Sequence, residues 1–239
     1  RMFTAPEGCV LVDADYSQIE LRLLAHIAGD AEMQAAFRSG ADFHTVTASR
    51  VFHVPPEEVT PEMRRRAKAV NFGIVYGISA FSLAQDIGVS VAEAKAYMER
   101  YFETYQGVRQ YMTDVVAKAE QDGYVQTLMH RRRALPELKS SNFNLREFGK
   151  RVALNMPVQG TAADIMKLAM VRVHRRLKRE GLRARLLMQV HDELIVECPA
   201  SEQEQVERLL TEEMEQAASL SVPLIAEAHS GKNWLAAKE

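Results

Sequence analysis

Leu186-Leu187-Met188-Gln189-Val190-His191-Asp192-Glu193-Leu194-Ile195-Val196-Glu197 is the stretch whose reading decides the fold. Two apolar, strand-forming runs flank a polar His191-Asp192-Glu193 step, which predicts a β-hairpin with acidic groups at its turn. Period-2 alternation sets its register. A carboxylate at the tip of a buried hairpin suits a hard cation or a proton-transfer task, because burying an unpartnered charge is very costly. Read alone, the same step equally describes a solvated tight turn.

Around the hairpin the charge is unevenly spread. Residues 131–185 hold 15 Lys and Arg against 4 Asp and Glu, whereas 192–239 hold 3 against 11. Such asymmetry points to one face for a polyanion and another kept in water, although basic runs also serve as solvated helix faces. The overall net charge of -2 singles out no partner. A length of 239 residues leaves room for one large domain or for a domain with an inserted subdomain. Cys9 and Cys198 show neither metal-ligand spacing nor a disulfide framework, and read as small buried thiols in a reducing cytoplasm. No apolar run reaches transmembrane length and no signal peptide precedes the first strand, so no membrane partner is expected. The abrupt opening Arg1-Met2-Phe3-Thr4 reads as a piece cut from something longer.

Upstream, 9–14 predicts a short strand stopping at Asp15, with Asp13 and Asp15 on one face, followed by a helix over 18–28. Helices are expected at 31–38 and 43–52, the second closed by Pro55-Pro56. Thr60-Pro61 then caps a helix in which Arg64, Lys68, Phe72 and Tyr76 recur every four residues. Each step rotates only about 40°, so two cations and two rings form one winding stripe. Gly73 and Gly77 beside the rings would leave room for something flat to approach the backbone. An amphipathic helix with two core aromatics has the same pattern, but Ala67, Val70, Ile74 and Val75 already supply apolar positions. Further helices are predicted at 79–87 and, as one long rod, 91–121. A hairpin is expected around His130-Arg131-Arg132-Arg133, where three arginines hold phosphate or stay wet. A helix over 145–154 is expected to meet Pro157 and restart at Gly160-Thr161, with Arg151, Asn155 and Gln159 four apart on one face. An acidic helix over 201–218 and a last strand over 222–228 complete the reading.

Three separated segments resemble, in register, the signature motifs of family A DNA polymerases. They are Asp15-Tyr16-Ser17-Gln18-Ile19-Glu20-Leu21-Arg22, Arg64 to Lys68 with Asn71-Phe72-Gly73 and Tyr76-Gly77, and His191-Asp192-Glu193. The block Asn155-Met156-Pro157-Val158-Gln159-Gly160-Thr161-Ala162-Ala163-Asp164 resembles a further one, and the likeness, of the bacterial kind, runs from about Val10 to Trp234. It implies an α+β fold: a small antiparallel palm sheet flanked by helices, built from 1–29 and 146–239, with a helical fingers subdomain over 30–145 inserted and the thumb absent from the chain.

The resemblance also implies the chemistry: a DNA-directed DNA polymerase that adds deoxynucleotides to a primer 3'-hydroxyl by two-metal phosphoryl transfer, in bacterial replication and repair. Its partners would be primer-template DNA and deoxynucleoside triphosphates, in a nucleoid-associated cytoplasmic monomer that is part of a longer chain. Asp15, Asp192 and the Tyr16 carbonyl would hold two Mg²⁺ ions, and Lys68 would protonate the departing pyrophosphate. Gln18, Glu20, His44, Arg64, Lys68, Phe72 and Tyr76 match nucleotide-site positions, with Glu20 closing the space a ribose 2'-hydroxyl would need. Arg151, Asn155, Gln159 and His191 match positions that touch the primer terminus and minor groove. Asp13 falls outside the matched motif as a bystander or supporting group, and Glu193 is a third carboxylate without an assigned role. The alternative is a nucleotide-binding and metal-binding module with little or no activity without the thumb. An unrelated two-metal hydrolase shares the paired aspartates but gives no reason for the Arg-Lys-Phe-Tyr stripe, and a phage-type RNA polymerase is disfavoured by Glu20.

Overall fold

A computed structural model describes residues 2–238. The elements follow in the order β1 (Cys9–Tyr16), α1 (Ile19–Ile27), α2 (Ala31–Arg38), α3 (Phe43–Phe52), α4 (Pro61–Val75), α5 (Ala80–Ile87), α6 (Val91–Thr104), α7 (Gln106–Asp122), β2 (Tyr124–Gln126), β3 (Arg132–Ala134), α8 (Phe143–Arg179), β4 (Arg185–Val190), β5 (Glu193–Pro199), α9 (Gln203–Glu215) and β6 (Ala226–Gly231). The fold is α+β, as the sequence predicts. Its contacts divide it into two compact units, Arg1–Ile19 with Ala162–Glu239, and Glu20–Thr161.

The first unit is built on an antiparallel sheet of order β4-β5-β1-β6. The central strands β1 and β5 carry near-continuous buried apolar runs, Val10 to Ala14 broken only by Asp13, and Leu194 to Val196. The edge strand β4 alternates exposed and half-buried residues, as a strand facing solvent on one side must. Helix α9 lays Val206, Leu209, Leu210 and Met214 into the core, all fully buried, and its Met214 carbonyl accepts the buried Tyr16 hydroxyl at 2.6 Å. The quoted hairpin is therefore real, with β4 and β5 joined at His191 and Asp192, and with a register shift between Leu186 and Met188. The last strand starts later than the sequence predicts, at Ala226 instead of 222. Val222 and Leu224 are buried outside the ladder, and Pro223 has no amide hydrogen to offer one.

The second unit is helical apart from the β2–β3 hairpin. Asp30, Asp42, Thr60, Ser79 and Ser90 each cap a helix with the side chain on an orphan amide. The rod predicted over 91–121 is instead two helices, α6 and α7, broken at Tyr105. The cause is distant in sequence. Asp30 caps α2 with one carboxylate oxygen, on Met33 at 2.8 Å, and accepts the Gly107 amide with the other, at 2.8 Å. A Cβ on Gly107 would lie 2.9 Å from the Asp30 Cα, so only glycine admits this approach. Conversely, the stop expected at Pro157 is absent, because α8 runs through it. A proline inside a helix costs about 3 kcal/mol, and here the next turn is tied down. The fully buried Thr161 hydroxyl donates to the Pro157 carbonyl and accepts the Leu128 amide at 3.1 Å. Around this point Ala119, Val125, Leu135, Leu138 and Ala153 form an apolar cluster joining α7, the hairpin and α8.

Candidate active site

The predicted site residues fall in both units. In the first unit, the register of the sheet brings the carboxylates together. Asp15, near the end of β1, faces Glu193 on β5 and Glu227 on β6, so three acids lie in one row across adjacent strands, an arrangement that like-charge repulsion opposes. Asp192 sits in the hairpin turn, and its carbonyl accepts the Tyr16 amide at 3.2 Å. The two segments predicted to hold metal are thus in direct backbone contact. His191 makes the tight turn possible with φ 50°, and its carbonyl accepts the Gln189 side chain at 2.6 Å.

Asp13 lies on the same face of β1, two residues before Asp15. It is buried, its Oδ2 accepts the Trp234 indole N–H at 2.8 Å, and its Oδ1 has no hydrogen-bond partner. Glu193 pairs with the Lys238 ammonium through Oε1, while its buried Oε2 has none. Gln18, at φ 55°, likewise buries an unpartnered Oε1. These groups line a cavity of about 340 Å³ together with His229 and Lys238. Desolvation, then the charges of Asp192, Glu193 and Asp13, push the Asp15 carboxyl up to about 7. Burial also raises Asp192 and Asp13.

Among the described residues no three His, Cys, Asp or Glu side chains converge as a ready ligand set. Asp15 and Asp192 nonetheless offer two hard oxygen donors and the Tyr16 carbonyl a third. Crowded anions and orphaned carboxylate oxygens are the setting a divalent cation would neutralise, and Mg²⁺ characteristically takes one or two carboxylates and completes its shell with phosphate and water. The residues fit such an ion.

In the second unit the α4 stripe sorts its cations by partner. Arg64 forks onto Asp42, Nε to Oδ2 at 2.8 Å and Nη2 to Oδ1 at 3.0 Å, and with Thr45 holds the Asp42 carboxyl far below the usual carboxylate range. Arg65 and Arg66 both hold Glu62. Lys68 is exposed and makes no ion pair among the described residues. Tyr76, the C-cap of α4, donates its hydroxyl to Glu20 at 2.6 Å, which joins two predicted nucleotide-site residues 56 positions apart. Phe72 faces the His44 ring at 5.7 Å.

His44 is buried within a hydrogen-bond chain that the sequence did not reveal. Thr47 Oγ1 donates to Asn71 Oδ1 at 3.2 Å, which orients the amide so that Asn71 Nδ2 donates to His44 Nδ1 at 2.9 Å. Desolvation lowers the imidazole to about 4, so His44 is held neutral. The stabilisation from this neutral form is complete above the unfolded value near 6.5 and is lost as pH falls toward 4, because the unfolded chain then binds a proton that the folded one refuses. Between pH 7 and pH 4.5 the melting temperature of the wild type should fall about 5–10 °C more than that of His44→Gln in parallel calorimetry. Equal slopes would remove His44 from the acid response.

The glycines of the stripe do something other than make room for a ligand. A Cβ at Gly73 would stand 2.6 Å from Ile78 Cγ2, so Ile78 fills that space. At Gly77, with φ 67°, it would meet Leu154 at 3.0 Å and Arg151 at 3.4 Å, and the residue instead lets the end of α4 approach α8. Beside it Phe72, Tyr76 and Arg151 line a cavity of about 500 Å³. One turn on, Asn155 and Gln159 line another of about 310 Å³ together with Arg133. Arg133 thereby joins the predicted DNA-facing side chains, although only the run of arginines had marked it.

The sequence model of DNA polymerase family A matches residues 1–236. DNA polymerase I of Bacillus caldotenax is 57% identical over 225 residues, which are 94% of this chain and 26% of that protein. DNA polymerase I of Streptococcus pneumoniae is 51% identical over 233 residues, 97% of this chain and 27% of that one. Among solved structures, the POL domain of Pol1 from M. smegmatis in complex with DNA primer-template and dNTP is 50% identical, with a TM-score of 0.95 over 99% of this chain and 42% of that chain. The chain thus spans about a quarter of the length of the curated relatives it matches.

Proposed function

This chain belongs to DNA polymerase family A, and we propose that it carries out template-directed addition of deoxynucleotides to a primer 3'-hydroxyl with release of pyrophosphate. The observation that carries the reading is the contact of the Tyr16 amide with the Asp192 carbonyl, which joins the backbone beside Asp15 to the turn that bears Asp192, 176 residues later in the sequence. Asp15, Asp192 and the Tyr16 carbonyl would hold two Mg²⁺ ions, which when bound supply activation of the 3'-hydroxyl and charge neutralisation on the leaving phosphates. Residues 1–29 and 146–239 act as palm and 30–145 as fingers in this reading, in a monomeric, bacterial cytoplasmic protein working on nucleoid DNA.

The remaining roles follow from the side chains. Arg64 and Lys68 grip the triphosphate, Arg64 by exchanging the Asp42 carboxylate for phosphate oxygens of the same fork geometry. His44, neutral, donates its free ring N–H. Gln18 takes the nucleotide beside the carboxylates. The Glu20–Tyr76 bond walls the sugar site and excludes a 2'-hydroxyl. Arg151, Asn155, Gln159 and His191 present donors to minor-groove acceptors, which every base pair displays, so pair geometry is checked without reading sequence.

The test is Mg²⁺-dependent extension of a labelled hairpin primer-template, with Asp192→Ala as control. Extension by the wild type alone supports the reading; nucleotide binding without extension leaves a binding module, and phosphate release without template a hydrolase. Phe72 gives a second check. With phenylalanine at the sugar, dideoxynucleotides should be disfavoured, and Phe72→Tyr should raise their incorporation relative to deoxynucleotides at least about tenfold by restoring a hydrogen-bonding hydroxyl. An unchanged ratio would take Phe72 away from the sugar.

A further inference from the structure

The C-terminal segment turns back onto the acidic row. Its course is fixed by two backbone hydrogen bonds. The Ala5 amide donates to the Lys232 carbonyl at 3.0 Å and the Trp234 amide donates to the Phe3 carbonyl at 3.0 Å, which together make the antiparallel bridge of Thr4 with Asn233. At the end of β6, Gly231 packs so closely that a Cβ would lie 2.6 Å from the Ala236 carbonyl carbon and 2.7 Å from the Ala237 amide. This hook buries Ala237 and delivers two side chains to the cavity. The Trp234 indole bonds Asp13, and the Lys238 ammonium pairs with Glu193 while standing 5.2 Å from the Trp234 ring centroid.

We propose that Lys238 is a built-in counter-cation of the carboxylate row, which competes with a divalent cation and keeps Glu193 out of its ligand set. Three acids in register across β5, β1 and β6, with the nine-tenths buried Asp13 behind them, hold more negative charge than neighbouring strands tolerate. Asp13 lines the same cavity, and its buried Oδ1 has no hydrogen-bond partner, so the row is under-neutralised even with Lys238 in place. Lys238 bonds only one oxygen of Glu193 and leaves the other without a partner. Its ammonium can therefore yield to an ion of higher charge, while Asp15 and Asp192, which feel its charge without pairing with it, keep their oxygens for that ion. Lys238 is a positioning residue here, acting on the cation through Glu193.

The inference rests on the proposed cation site, and its test needs no catalysis. Mn²⁺ binding to the purified chain, counted as loss of the free-ion electron paramagnetic resonance signal, should be about threefold to tenfold tighter for Lys238→Met than for the wild type. That is the scale of one unit charge acting over a few screened ångströms. Lys238→Arg should match the wild type. Trp234 is the only tryptophan, so Mg²⁺ titration should also shift its emission in the wild type as the ammonium leaves its ring, and shift it less in Lys238→Met. Unchanged or weaker Mn²⁺ binding by Lys238→Met overturns the inference. If Asp192→Asn leaves Mn²⁺ affinity untouched as well, the cation site falls and the inference falls with it. If Asp192→Asn weakens binding while Lys238→Met changes nothing, only the role of Lys238 is lost.

Discussion

Asp192→Asn is expected to lower the rate of primer extension by at least about 10³-fold while raising the melting temperature of the chain. The first effect follows from the proposed metal-assisted chemistry, in which a second hard anionic oxygen is needed beside Asp15. An amide of the same shape offers a neutral donor set, and removing a metal-holding charge forfeits several kcal/mol of transition-state stabilisation. The second effect follows from crowding. Asp192 raises the energy of ionised Asp15, which already faces Glu193 and Glu227 across the sheet. Neutralising one member relieves repulsion worth of the order of 1 kcal/mol once solvent screening is counted, or about 2–4 °C for a chain of this size. Opposite signs in the two readouts distinguish a functional charge from a structural one. Rapid-quench extension of a hairpin primer and calorimetry in chelator measure them. A variant that extends normally, or that melts lower with its activity lost, contradicts the assignment.

That opposition also explains what was legible in the sequence. The hairpin at 186–197 could be read because apolar runs and a polar turn are local, and its acidic tip stood out for having no local reason. The cap at Thr60 and the exact span of α3 followed from the same short-range chemistry. What could not be read was set by contacts across long separations. Asp30 breaks the 91–121 rod by accepting an amide 77 residues away. Pro157 fails to end α8 because Thr161 is locked from the hairpin side. The same limit applies to the site. Asp15 and Asp192 were found as motif residues, but their neighbours carry no periodic or compositional mark. Lys238 is one lysine near the end of an acidic stretch, and the Asn71 amide that orients His44 looks like any polar residue on a helix.

Lys68→Leu is expected to slow the chemical step as well as weaken nucleotide binding, and Lys68→Arg to recover the binding but little of the rate. The argument lies in the pairing of the α4 cations. Arg64 is committed to Asp42, and Arg65 and Arg66 to Glu62. Lys68 alone of the four presents an unpaired, exposed charge, one turn from Arg64 and one turn from Phe72. An ammonium on a flexible stem both attracts phosphate and can give up a proton, whereas a guanidinium attracts phosphate but does not deprotonate. Loss of the charge should raise the dissociation constant for the incoming triphosphate by about tenfold or more. Loss of the acid should cut the single-turnover rate at saturating nucleotide by a further 10²-fold or more, the usual scale of a positioned proton donor. Single-turnover extension across a nucleotide titration separates the two, and Lys68→Arg divides charge from proton. If Lys68→Leu changes only the concentration dependence and reaches the wild-type plateau, the lysine binds and does not protonate, and the departing pyrophosphate takes its proton from another donor.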